Sequence, residues 1–241
     1  MDEENDFFSG LHQSMMRRLT GDFHILETIV PVEKQMEYFK YSAYVRAKNP
    51  QETVERQMNV LQAKDSTYEE LKYALTYLAT SGDVGAYRAI ETFSKQAVDP
   101  KLAEWTSLSL MQARLTMDAE FLNEKQVFIS TGLGGKGNKF RFYAFFRANH
   151  LTPFSDYQRR LIEKEFAFSI QKNNGEVEKI DIGENYFSIL FLMDMSADVR
   201  YVLISAADVC NEFGEFIDAR IMVTNVKVYD DIDIQKELLK K

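Results

Sequence analysis

Through the first half of the chain, apolar residues recur three and four positions apart. In VERQMNVLQA, Val54, Met58 and Leu61 share one helical face. STYEELKYALTYLATS repeats the pattern with Leu71, Leu75 and Leu78. It opens on Ser66 and Glu69 at capping-box spacing and stops at Gly82. Asp83 caps VGAYRAIETFSKQA, and Asp99 with Pro100 opens a long helix through PKLAEWTSLSLMQARLTMDAEFL. Trp105 lies three positions from both Leu102 and Leu108, on the core side of that helix. Pro31 starts an earlier helix in PVEKQMEYFKYSAYVRA. The intervening turns are short, so successive helices pack antiparallel.

Near Gln126 the period drops to two. QVFIST and KFRFYAFFR read as strands. SDYQRRLIEKEFAFSIQKNN is a helix with a Ser155–Gln158 capping box. EVEKIDI and YFSILFLMDM form a hairpin around GEN, and DARIMVTNVKVY is a last strand. SADVRYVLISAADVCNEFG is a helix with Val199, Val202, Leu203, Ala206, Val209, Cys210 and Phe213 as its stripe, closed by Gly214. The tail after Asp230 is open to a short helix or a frayed end. GDFHILETIV, near the start, is open to strand, helix or docking segment.

The change of period divides the chain into a helical domain, 1–125, and a mixed domain, 126–241, in the α+β class. ELKYALTYLATSGDVGAYRAIETF followed by DPKLAEWTSLSLMQARL resembles HEAT-like helical repeats over about 66–122. An irregular antiparallel bundle fits the same pattern. The HEAT-like resemblance implies a curved stack that offers a surface to a protein partner. Over about 139–228 the order β-α-β-β-α-β resembles the ferredoxin-like split βαβ fold, with two helices on one face of an antiparallel sheet. QVFIST adds a leading hairpin strand to that sheet. Many functions use this fold, so it implies none by itself.

Composition narrows the setting. The 241 residues are 45% hydrophobic and 27% charged, as in an ordinary soluble globular protein. A net charge of -8 disfavours non-specific binding to nucleic acid or anionic membrane. One cysteine, Cys210, excludes an intramolecular disulfide and a cysteine metal cluster, and fits a reducing, cytoplasmic setting. On the helical stripe it reads as core and not as a nucleophile. MDEENDFFSG is acidic where a secretory signal is basic. YFSILFLM is too short to span a bilayer, so no membrane attachment is expected.

Candidate chemistry concentrates in STGLGGKGNK, residues 130–139, with four of the eleven glycines. A Walker A loop needs Ser or Thr after its lysine and a following helix. Here Gly137 follows Lys136 and a strand comes next, so the stretch reads as a flexible hairpin turn. Between positions 136 and 164, seven cations (Lys136, Lys139, Arg141, Arg147, Arg159, Arg160, Lys164) face two carboxylates, Asp156 and Glu163. Strand alternation puts Lys139, Arg141, Tyr143, Phe145 and Arg147 on one face. Basic and aromatic residues on an open sheet of this kind loosely resemble RNA-recognition modules, which stack bases there. The central-strand glycine motif of those modules is missing from YFSILFLMDM.

His12, His24 and His150 have no partners at metal-ligand spacing, so no metal is expected. Asp194, at the end of an apolar strand, reads as the start of a turn, with a raised-pKa acid as the other reading. The leading expectation is a non-enzymatic cytoplasmic interaction or scaffold protein with a protein partner, no cofactor and an open oligomeric state. The alternative is RNA or nucleotide-phosphate binding through Lys136, Lys139, Arg141, Tyr143, Phe145, Arg147, Arg159 and Arg160. A second alternative is an enzyme with an interdomain pocket around His150, Asp194 or Lys136.

Overall fold

The computed structural model describes residues 23–48, 52–96, 99–122, 127–129, 131–194 and 196–239. Helix and strand are mixed, in the α+β class, and the chain divides into two compact units, 1–129 and 130–241.

The first unit holds α1 (Val32–Lys48), α2 (Val54–Gln62), α3 (Tyr68–Ala79), α4 (Val84–Ser94) and α5 (Pro100–Leu122). Its caps are side-chain oxygens on orphan N–H groups, as the sequence suggests, with one shift. The capping box of α3 uses Thr67 and Glu70, one residue beyond the expected Ser66 and Glu69. Asp83 accepts from Ala86 N–H at 2.8 Å, and Asp99 from Lys101 N–H at 2.9 Å.

The HEAT-like expectation is corrected by the packing. In a repeat stack each unit touches only its neighbours. Here the 23-residue α5 packs against α1, α3 and α4, while α3 touches all four other helices. Leu75, Leu78, Ile90, Leu102 and Leu108 meet in one core with Tyr38 and Trp105. The expected strand QVFIST is also relocated. β2 (Val127–Ile129) pairs in parallel with β1 (Phe23–Ile25) inside this unit, and adds nothing to the sheet that follows.

Polar groups in this core are paired across helices. Tyr38 Oη donates to Gln112 Oε1 at 2.6 Å, and Gln112 Nε2 donates to Ser42 Oγ at 2.8 Å. Trp105 Nε1 donates to Thr76 Oγ1 at 2.9 Å. Lys72 Nζ sits 4.1 Å from the Trp105 ring centre and 2.8 Å from Glu37 Oε1, so one cation ties α1, α3 and α5.

The second unit is an antiparallel sheet with strands in the order β5-β6-β4-β7. These are β4 (Lys139–Ala148), β5 (Glu176–Ile182), β6 (Tyr186–Asp194) and β7 (Ile217–Thr224), with two-residue β3 (Gly135–Lys136) beside the start of β4. α6 (Asp156–Lys172) and α7 (Val199–Asn211) cover one face, and α8 (Asp231–Leu239) follows β7. Ala144, Phe146, Phe187 and Phe191 from the sheet meet Ile162 and Phe166 of α6, and Leu203 and Cys210 of α7. The α7 stripe is narrower than expected. Val209 is exposed at the edge of the stripe, and Phe213 is exposed because the helix ends at Asn211, before it.

Replacing Gln112 by Leu leaves the buried Tyr38 and Ser42 hydroxyls without their partner. A loss of roughly 1–3 kcal/mol is expected. Urea unfolding followed by fluorescence of Trp105, the sole tryptophan, measures it in this unit. Unchanged stability would contradict the network.

Candidate nucleic-acid interface

The glycine stretch is packed, which corrects the expectation of a flexible turn. A Cβ on Gly132 would lie 1.8 Å from the Val226 carbonyl oxygen, so only glycine lets these two backbones meet. Leu133 is fully buried and its N–H donates to Asn225 O at 3.0 Å. Gly134 and Gly137 hold φ of 66° and 58°, which glycine adopts at no steric cost. Only Gly137 and Asn138 form the hairpin tip, and Lys136 pairs with Glu176 at 3.6 Å. The loop lines the second face of the sheet through Leu133.

β4 alternates as its sequence predicts, but both of its faces are covered. Phe142, Ala144 and Phe146 face α6 and α7. Tyr143 and Phe145 face the other way, into a second cluster with Leu133, Tyr186, Leu190, Tyr229, and Ile234 and Leu238 of α8. They are only 4% and 1% exposed, so neither ring is open for stacking while α8 is in place.

Most of the candidate cations are engaged inside the unit. Arg141 holds Glu178 through Nε and Nη2, at 2.5 and 2.8 Å, and donates from Nη1 to Leu133 O at 2.7 Å. Arg147 is buried. Its Nη2 donates to Asp218 Oδ2 at 2.6 Å and its Nη1 to Glu237 O at 3.2 Å. Burial alone would raise the Asp218 carboxyl. Hydrogen bonds from Arg220 and Arg147 outweigh it and hold that carboxyl well below the usual carboxylate range. Arg159 turns inward and donates to Phe154 O and Ile182 O at 3.2 and 3.1 Å. Lys139 is half-buried, in register with Asp194 on β6.

Arg160 is different. It is exposed on α6, as are Lys164 and Lys172. The helix buries Ile162, Phe166 and Ile170. At 100° per residue, Tyr157, Lys164 and Phe168 lie opposite that face and Arg160 and Lys172 about 60° to either side, with Gln171 and the partly buried Leu161 in the same arc. Tyr157 is 51% exposed and Phe168 61%. Lys172 Nζ lies 5.9 Å from the Phe168 ring centre. Asp156, Glu163 and Glu165 sit to the sides of this stripe. Tyr157, Phe168 and Lys172 were not among the sequence candidates. The signal for Phe168 is in EKEFAFSI: Phe166 and Phe168 lie two apart, on opposite sides of the helix, so one core face cannot bury both.

The remaining candidates do not converge. His150 is exposed in a short 3-10 turn with φ 55°. Asp194 is corrected from a raised-pKa acid to a lowered one. Ser196 N–H and Oγ donate to its Oδ1 at 2.9 and 2.7 Å and stabilise the anion. Burial pushes the Cys210 thiol up to about 12. Among the described residues no three of His, Cys, Asp or Glu could hold a metal ion, and no helix is long and apolar enough to cross a membrane.

No family model matches the chain, and no curated protein matches it. Two similar solved structures carry transposase names. One, a Deinococcus radiodurans protein assigned as a transposase, has TM-score 0.38 and 13% identity, over 43% of this chain and 92% of its own. Another is a REP-associated tyrosine transposase bound to a REP hairpin, with TM-score 0.32 and 6% identity. That match covers 41% of this chain and 61% of the transposase. The expectations of a non-enzymatic protein–protein scaffold, of no enzymatic activity and of a helical-repeat protein are withdrawn in the face of this finding.

Asp218→Asn removes the charge that Arg147 and Arg220 hold. A carboxyl depressed on folding stabilises above its unfolded pKa, and that stability is lost as pH falls through the folded pKa. The variant is therefore expected to melt below the wild type at neutral pH. The gap should close progressively below pH about 4, the ordinary aspartate range. Thermal melts across pH test this, and a gap independent of pH would contradict it.

Proposed function

We propose that the second unit, a ferredoxin-like fold, binds single-stranded nucleic acid along the outer face of α6. The observation that carries this reading is the stripe of Tyr157, Arg160, Lys164, Phe168 and Lys172 opposite the buried face of the helix. Phe168 lies outside the core, and Tyr157 meets only another exposed ring, Phe213, at 6.4 Å. Interleaved with cations, they match what single strands require, because bases stack on rings while phosphates meet positive charge. The stripe holds three cations and no carboxylate in a chain of net charge -8, so the positive field is local. Arg160 belongs to the basic span that the sequence singled out, and the contact surface moves from the strand to the helix. A cytoplasmic setting suits a chain with one cysteine, and that one buried.

The test is fluorescence anisotropy with an oligothymidylate of about 16 nucleotides, the upper end of a single-module site. Binding should weaken with salt, with a log–log slope of about -2 for three phosphate contacts on a single strand. Arg160→Glu with Lys164→Glu should abolish it, and Phe168→Ala should weaken it about tenfold. No binding at low salt, or full binding by the charge-reversed variant, would overturn the reading. A protein that is captured by Tyr157 and Phe168 in place of the oligonucleotide would do the same.

A further inference from the structure

We propose that α8 is a displaceable cover over a second base-stacking face, the side of the sheet turned away from α6 and α7. This rests on nucleic-acid binding by the same unit. The covered face has the composition of such a site. Tyr143 and Phe145 of β4 lie beside Tyr186 of β6, with the Phe145 and Tyr186 rings stacked at 5.5 Å. Arg141 and Arg147 stand on the same face of β4, six residues or about 20 Å apart. Glu178 and Asp218 come from the sheet itself, so they hold both guanidinium groups in place whether or not α8 is present.

The cover is held lightly. No residue of α8 is buried, and Ile232 and Leu239 are 65% and 79% exposed. It meets the cluster through Ile234 and Leu238, with Tyr229 from the segment before it. Arg147 Nη1 donates to the carbonyl of Glu237 at 3.2 Å. Locally, Asp230 caps the helix by accepting from Asp233 N–H at 2.8 Å, and Lys227 pairs with Asp233 at 2.6 Å. Nine residues are fewer than the roughly 12–15 that an isolated helix needs, so α8 owes its shape to the sheet beneath. Lifting it together with Tyr229 opens one side of the row of Tyr143, Phe145 and Tyr186, while Leu133 of the glycine loop stays packed beside them. Bases entering that row displace Ile234, Leu238 and Tyr229 and replace aliphatic contacts by stacking on Tyr143, Phe145 and Tyr186.

Two variants and one measurement on the full chain test this. A chain ending at Val228 removes the cover, and Ile234→Asp with Leu238→Asp loosens it without truncation. Each is expected to bind the oligothymidylate about tenfold more tightly than the full chain. Tyr143→Leu with Phe145→Leu should remove that gain. Arg160→Glu with Lys164→Glu should leave it intact, so the gain is read separately from the α6 surface. In the unaltered chain, saturating oligothymidylate should speed amide hydrogen exchange across 231–239. Folded variants that bind no more tightly overturn the proposal, as does exchange in 231–239 that the oligonucleotide leaves unchanged.

Discussion

Strand β4 is the constraint on which the second unit depends. Its side chains alternate, and both sets are apolar at the centre of the strand, so neither face can be left in water. Phe142, Ala144 and Phe146 require the α6–α7 layer. Tyr143 and Phe145 require a second cover, which the packed glycine loop, Tyr229 and α8 supply. The close approach of Gly132 to Val226 follows from the same need, because the loop and the segment after β7 must share one edge of that second cluster. The ion pairs Arg141–Glu178 and Arg147–Asp218 then tie β4 to β5 and β7.

That division of labour explains where a surface is left over. With one face of β4 committed to the helical layer, α6 must bury Ile162, Phe166 and Ile170, and everything at 180° to them points outward. A helix that served only as a lid would carry polar residues there. Instead it carries Tyr157 and Phe168 among three cations. The two faces of the unit therefore differ in kind. One presents an open basic and aromatic stripe, and the other keeps its rings under a short amphipathic helix.

Local pattern disclosed most elements and little of their pairing. The two-residue period of KFRFYAFFR, the capping box at Ser155, the cap at Asp83 and the core place of Trp105 are all present as read. QVFIST was placed in the wrong sheet because its partner, Phe23–Ile25, lies about a hundred residues away and no local signal marks a parallel pairing of three residues. The cover on Tyr143 and Phe145 was hidden for another reason. α8 contributes two apolar anchors in a charged tail, and its order comes from the contact it makes. The candidate cations share a sign, but Lys136, Arg141 and Arg147 are paired with carboxylates far along the chain, Glu176, Glu178 and Asp218. Phe168 was legible in principle, since it shares a helix with Phe166 at a spacing that forces one of them out.

The most direct measurement is an NMR titration of the isotopically labelled chain with the single-stranded oligonucleotide. Binding along α6 predicts amide shifts that run through Tyr157, Arg160, Lys164, Phe168 and Lys172, with the buried Ile162, Phe166 and Ile170 side chains undisturbed. Shifts confined to the first unit, or none at saturating oligonucleotide, would contradict the account.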